Sequence, residues 1–359
     1  MTRAGAPMRP ATTLEALPEG PSLRNRAERM GRVEVHSAAG AEPSINPDRV
    51  KVLFIGGYSR SGSTLLDCML GQLPGVFSTG ELAYIWTHGL QENRLCGCGS
   101  RFLDCSFWGR VGELAFGGWD RVDVEAMRRL ELAVNRHRFM PQLLAPRTSR
   151  RFRGDLERYA EVLGRIYGAI HQAGETRLIV DSTIDPAYGF LLTHVPNLDL
   201  RLVHMVRDSR ATAFSWTRWQ YRLDRPDTEM HQRRFHPGVT AVRWSVYHLL
   251  VHLLGRAGSP ELRVNYERVV DSPGEEIRRI MAHVEEPVDD AALDFIRSSE
   301  VDLATNHTVA GSLMRLKQGT LKVRLDDEWT RSLPARDRRL VTALTWPFLR
   351  RYGYVGGNG

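Results

Sequence analysis

KVLFIGGYSRSGSTLLDCML, residues 51–70, is an apolar run, a Gly/Ser-rich turn with one arginine, and a second apolar run. The first run reads as a buried strand and the second as the start of a helix. A strand that stops at Gly56-Gly57 and hands over to a helix near Ser63-Thr64 turns backbone N–H groups and a positive helix end toward one point, which suits an anion. The frame Gly57-x-x-x-x-Gly62 has the spacing of a phosphate-cradling P-loop, but Ser63 stands where the lysine belongs. The cation inside the loop is Arg60. The loop is therefore built for a phosphate-like group without the lysine that nucleoside-triphosphate loops use.

Outward from this loop, short β-rich runs alternate with helical patterns, which predicts an α/β fold. It is a P-loop-type three-layer sandwich, with a central, mainly parallel sheet flanked by helices. Strands are expected near 52–55, 76–78, 178–180, 200–206 and 262–265. Helical periodicity runs near 64–72, 82–90, 155–172, 186–194, 210–221, 239–254, 273–284 and 336–351. Residues 91–153 read as a helical, cysteine-containing insertion within one domain spanning 49–355. Residues 1–48, rich in Ala, Pro, Gly, Arg and Glu without an apolar period, read as a flexible tail.

The chain has 359 residues, 42% of them hydrophobic, and a formal net charge of +7. That is enough apolar material for a sizeable core. The basic residues are scattered and carry no nucleic-acid-binding signature, so no nucleic-acid partner is expected. No apolar stretch approaches the roughly 20 residues of a transmembrane helix, and residues 1–48 lack the apolar core of a secretory signal. A cytoplasmic location is the default expectation, and the oligomeric state is open. Of the four cysteines, Cys68 reads as a small core residue on the helix after the loop. Cys96, Cys98 and Cys105 cluster, and free thiols, a local disulfide and a metal site all stay open, the C-x-C spacing differing from the usual zinc knuckle.

Ligands of such sheets sit at the carboxyl ends of the strands. That rule gathers the loop at 57–64, Thr79-Gly80-Glu81, Asp181-Ser182-Thr183 and Arg207-Asp208-Ser209. Arg207 ends a buried strand, and Ser215 follows eight residues later, two turns into the next helix. A planar fork of donors and a hydroxyl so placed can converge on one phosphate.

GYSRSGSTLL, from Gly57, and LVHMVRDSRATAFSW, from Leu202, together resemble the PAPS-dependent sulfotransferase family, where PAPS is 3′-phosphoadenosine 5′-phosphosulfate. The bacterial members related to its carbohydrate and tyrosyl-protein branches are nearest in pattern, since arginine is common there at the position of Arg60. The resemblance implies that Arg60, Ser61, Gly62, Ser63 and Thr64 hold the 5′-phosphosulfate, that Arg207 and Ser215 hold the 3′-phosphate, and that no metal is needed. VNYERVVDSP, around Tyr266 and Glu267, is similar to the family's strand-turn-helix after the donor site. HTVAGSLMRLKQGTLKVRLDDEW, from His307, is similar to the segment that closes over the nucleotide. Ser312 replaces the family's asparagine there, and Arg315 is carried over as a donor-binding residue.

The implied reaction moves a sulfuryl group from PAPS to a hydroxyl of an acceptor, be it a small molecule, a sugar or a lipid. Arg60 and the loop N–H groups then meet the charge that develops on the leaving oxygen. Glu81 matches the catalytic glutamate of the carbohydrate and tyrosyl-protein branches, with His88 as the alternative base. The alternative for Glu81 is that it complements a helix N-terminus. Asp181 and Tyr188 either face the acceptor or serve as a cap and a packed ring. Trp216, Trp219 and Tyr221 read as core aromatics, and His204, inside a strand, as a core histidine. Two other classes compete. One is a P-loop phosphotransferase using ATP and magnesium, opposed by Ser63, and the other is a non-catalytic nucleotide-binding protein.

Overall fold

The computed structural model describes residues 49–144, 149–218, 234–297 and 299–356. Residues 1–48, Trp219 and Tyr221 lie outside them.

Five parallel strands form the central sheet: β1 (Val50–Gly57), β2 (Val76–Ser78), β3 (Leu178–Ile184), β4 (Leu198–Val206) and β5 (Glu261–Asn265), in the order β2-β3-β1-β4-β5. Because β1 is covered on both faces, it is apolar from Val52 onward rather than alternating. Val52 and Phe54 point to one face and enter a core with Tyr159, Leu163, Ile166 and Ile170 of the helix Arg150–Gly174. Leu53 and Ile55 point to the other and pack with Leu65, Leu66 and Met69 of the helix Ser63–Leu70 and with Ile277 and Ile280 of Pro273–His283. The result is a helix–sheet–helix sandwich, as the sequence predicts, and all five expected strands are present.

The chain leaves β1 toward β2 on one side and leaves β4 toward β5 on the other. The crevice between those two departures is the topological switch point, where open α/β sheets hold their ligands. The register sets Gly57 beside Met205, so the loop after β1 and Arg207 after β4 emerge next to each other.

Residues 91–153 contain the helices Ser106–Phe116, Val124–Val134 and Met140–Leu144 and begin the helix Arg150–Gly174. Their Phe102, Trp108, Val111 and Val134 join the same core as Val52 and Phe54. Two features differ from the sequence expectation. The apolar period at 82–90 forms a 3₁₀ turn, Leu82–Tyr84, that runs into a π-helix, Ile85–Gln91. Near the C-terminal end, β6 (Ile296–Arg297), β7 (Glu300–Leu303) and β8 (Gly319–Lys322) form a small antiparallel sheet. These strands are too short and too polar to leave an alternation that reads as sheet. No helix among the described residues is long and apolar enough to cross a membrane.

Candidate active site

The loop after β1 adopts a conformation that residue type alone makes costly. Arg60 sits at φ 75°, the left-handed region that a non-glycine residue enters at a cost of roughly 1–2 kcal/mol. Gly62 sits at φ 88°, and a Cβ there would lie 2.4 Å from the Tyr266 ring. Glycine is thus required twice over, by backbone conformation and by contact. The helix Ser63–Leu70 then begins with no side-chain cap on its first N–H groups. These are the donors that an anion at a helix N-terminus would take.

Two arginines meet here. Arg207, 6% exposed, donates from Nη1 to the Arg60 carbonyl (3.1 Å), and its guanidinium lies 4.4 Å from the centre of the Tyr266 ring. The Arg60 guanidinium lies 5.0 Å from the centre of the Trp216 ring, one residue beyond Ser215 on the helix Ser209–Thr217. Each cation therefore rests on an aromatic face, which offsets part of its desolvation. Burial and the neighbouring Arg207 charge push the Arg60 pKa down to about 10. The two charges are near enough to interact, and an anion beside them would stabilise both.

Buried polar atoms point the same way. Ser61 Oγ, Arg207 Nε and Trp216 Nε1 have no hydrogen-bond partner among the described residues. Buried donors left so are rare and mark a place for a ligand or water. The outer edge of Arg207 is taken by Asp326, whose Oδ2 (3.0 Å) and carbonyl oxygen (3.2 Å) both accept from Nη2. A carboxylate on the β8-to-helix segment thus stands where an anionic ligand would bind Arg207.

The second wall comes from the segment 306–311. Val309 N–H donates to the Thr79 carbonyl (2.8 Å) and Glu81 N–H to the Ala310 carbonyl (3.0 Å), adding a short strand-like edge to the turn after β2. Glu81 directly precedes the 3₁₀ turn, is half-buried, and is close enough to Asp67 for their charges to interact. His88 lies on the π-helix with its ring stacked on Tyr84 at 4.6 Å. Asp67 is fully buried on the helix Ser63–Leu70 and accepts from Ser78 Oγ (2.5 Å). Burial pushes its pKa up to about 8, helped by the charges of Asp181 and Glu81.

Arg315 is 2% exposed, and its terminal nitrogens donate to the Thr308 (3.1 Å) and Leu95 (2.7 Å) carbonyls. A Cβ built on Gly311 would touch both Arg315 Cδ (3.6 Å) and Thr64 (3.8 Å), so this arginine's stem passes beside the helix that follows the loop. Asp181 and Tyr188 are core groups: Asp181 accepts from Tyr167 Oη (2.6 Å) and from Thr183, and Tyr188 Oη lies 3.3 Å from Tyr167 Oη. His204 is a core histidine, fully buried between Glu261 (2.8 Å) and His248 (2.6 Å).

Residues 110–290, slightly more than half of the chain, match the model of a family described as the sulfotransferase family. The chain belongs to the sulfotransferase family. The matched span of this sulfotransferase contains Arg207 and Ser215, while the loop after β1 lies before it. Solved structures of similar fold include the sulfotransferase domain of the Synechococcus PCC 7002 olefin synthase (23% identity, 84% of this chain and 95% of that one, TM-score 0.47). Others are the sulfotransferase domain from the curacin biosynthetic pathway (16%, 83% and 98%, 0.46) and sulfotransferase STF9 from Mycobacterium avium (13%, 89% and 81%, 0.44). No curated protein matches the chain in sequence.

Sequence reasoning gave no role to Tyr266 or Asp326, which contact Arg207, and read Trp216, whose ring lies under the Arg60 guanidinium, as a core aromatic. Tyr266 carried a signal, since it follows β5 directly at the same carboxyl edge as Arg207.

Proposed function

We propose that this sulfotransferase moves a sulfuryl group from PAPS to a hydroxyl of an acceptor. The observation that carries the reading is the convergence of Arg60 and Arg207, two like charges on aromatic faces beside the buried, unpartnered Ser61 Oγ and Arg207 Nε. PAPS, when bound, supplies the sulfuryl group and a leaving nucleotide. Arg60, Ser61, Ser63, Thr64 and the free N–H groups of the helix start hold the 5′-phosphosulfate and meet the charge on the leaving oxygen. Arg207 and Ser215 hold the 3′-phosphate, the Asp326 carboxylate giving up its place. The Arg315 guanidinium, bonded to Leu95 and Thr308, acts by fixing the wall that flanks Thr64.

The acceptor oxygen bonds to sulfur as the sulfur–oxygen bond to the nucleotide phosphate breaks, and the hydroxyl proton passes to Glu81. Positioning and charge stabilisation account for most of the acceleration in a loose transition state of this kind. The reading is tested by thermal stabilisation with 3′,5′-adenosine bisphosphate in the absence of metal, beside ATP with magnesium. Stabilisation by the bisphosphate supports it. Stabilisation by ATP with magnesium alone overturns it in favour of phosphoryl transfer. An acceptor screen with isotopically labelled PAPS, read by mass spectrometry, then identifies the hydroxyl.

A further inference from the structure

Cys96, Cys98, Cys105 and His307 bring three sulfurs and one imidazole nitrogen within 4.8 Å of one another. Cys96 Sγ lies 3.7 Å and Cys98 Sγ 3.8 Å from Cys105 Sγ, and His307 Nδ1 lies 3.2 Å from Cys105 Sγ and 3.9 Å from Cys96 Sγ. With Zn–S near 2.3 Å and Zn–N near 2.0–2.1 Å, the edges of a tetrahedral site are about 3.8 Å between sulfurs and about 3.5–3.6 Å between sulfur and nitrogen. The two sulfur edges to Cys105 match the first value, the sulfur–nitrogen edges from Cys105 and Cys96 bracket the second, and the remaining two edges stay within 4.8 Å. A disulfide requires sulfurs about 2 Å apart, and Cys105 is equally far from both its neighbours, favouring neither pairing. We propose that these four residues form a structural zinc site.

The local fold is shaped around the cluster. Cys96 and Cys98 lie on a tight turn closed by Cys96 N–H to the Ser100 carbonyl (2.8 Å) and Gly99 N–H to the Cys96 carbonyl (2.9 Å). Gly97 between them admits no side chain, since a Cβ would lie 1.8 Å from Asn306 Oδ1. The Cys98 N–H faces the Cys96 sulfur and the Trp108 N–H faces the Cys105 sulfur, outer contacts that orient the two ligand atoms. The His307 ring is stacked on Phe107 (5.2 Å, 18°), and the His307 carbonyl accepts from Trp108 Nε1 (2.7 Å). Four protein ligands close the coordination sphere, which marks a structural rather than a catalytic ion, and three thiolates with one imidazole select zinc over harder cations.

The ligands join the insertion to a residue 202 positions away. Directly after His307, Thr308 accepts from Gly97 N–H (3.0 Å), and the next two residues pair with Thr79 and Glu81. Zinc thereby pins the strand-like segment that forms one wall of the site.

Metal analysis of the purified, reduced protein tests this without any turnover, so its outcome is separate from that of sulfuryl transfer. About one zinc per chain is expected to survive dialysis. Cobalt exchanged for it should give thiolate-to-metal charge-transfer bands with tetrahedral d–d bands. Cys98→Ser, at the half-buried ligand, and His307→Ala should each lose most of the metal and lower the thermal midpoint, while Cys68→Ser keeps the metal. Zinc-free wild-type protein after growth in zinc, undiminished zinc in both ligand variants, or a mass two hydrogens short with no metal would each overturn the site.

Discussion

Arg207 Nη1 donates to the Arg60 carbonyl across 3.1 Å, so the side chain that ends one strand holds the backbone of the loop that ends its neighbour. The bond supports a loop residue at φ 75° and sets two guanidinium groups side by side. Removing Arg207 therefore removes a brace of the loop and, on the proposed function, a ligand of the donor phosphate.

Arg207→Ala is expected to raise the dissociation constant for 3′,5′-adenosine bisphosphate about tenfold or more, since a charged hydrogen bond contributes about 1.5–3 kcal/mol. Calorimetry measures it directly, with circular dichroism to verify the fold. Unchanged affinity would remove Arg207 from the site.

Asp326→Asn should act in the opposite sense. Its carboxylate occupies Arg207 in the ligand-free protein, and a neutral amide competes less with a phosphate. Bisphosphate binding should tighten by about threefold to tenfold, less in high salt because the carboxylate is partly exposed. Weaker binding would mean that Asp326 orders Arg207 rather than competing at it.

Glu81→Gln should lower turnover by about 10²–10⁴ while leaving bisphosphate affinity intact. His88→Ala, which removes a ring stacked on Tyr84, should leave turnover within severalfold of the parent. A reversed pattern would move the base to His88.

Asp67 gives a pH signature. Its folded pKa of about 8 lies above the ordinary aspartate value of 3.8, so the folded state holds the proton more tightly. The stability this contributes is complete below about pH 4 and is lost as pH rises through about 8. Asp67→Asn removes the dependence, so its thermal midpoint relative to the parent should climb between about pH 5 and about pH 9. A difference flat across that range would mean that Asp67 is ionised in the folded protein.

The strand residues and the phosphate loop were legible because their signals are local. After Lys51, VLFIGG is apolar without a break, and Gly57 and Gly62 stand at fixed spacing. The order β2-β3-β1-β4-β5 was not read from the sequence, but the rule that ligands gather at strand ends already drew Arg207 toward Arg60. Asp326 over Arg207 and His307 beside Cys105 could not be read, because each contact joins residues more than a hundred positions apart with no periodicity between them. The π-helix at Ile85–Gln91 escaped for another reason: its apolar positions fit an α-helical period equally well.

The edge formed by Val309 and Ala310 against Thr79 and Glu81 has a consequence for the order in which the molecule is made. A chain still emerging from the ribosome can assemble all five parallel strands once β5 is out, well before residue 306 appears. The turn bearing Glu81 stays without its partner until then, and contacts of such long sequence separation form late. A nascent chain halted far enough beyond Asn265 for β5 to have left the ribosome, but before residue 306 has emerged, should thus hold a protease-resistant sheet while leaving Glu81 open to cleavage.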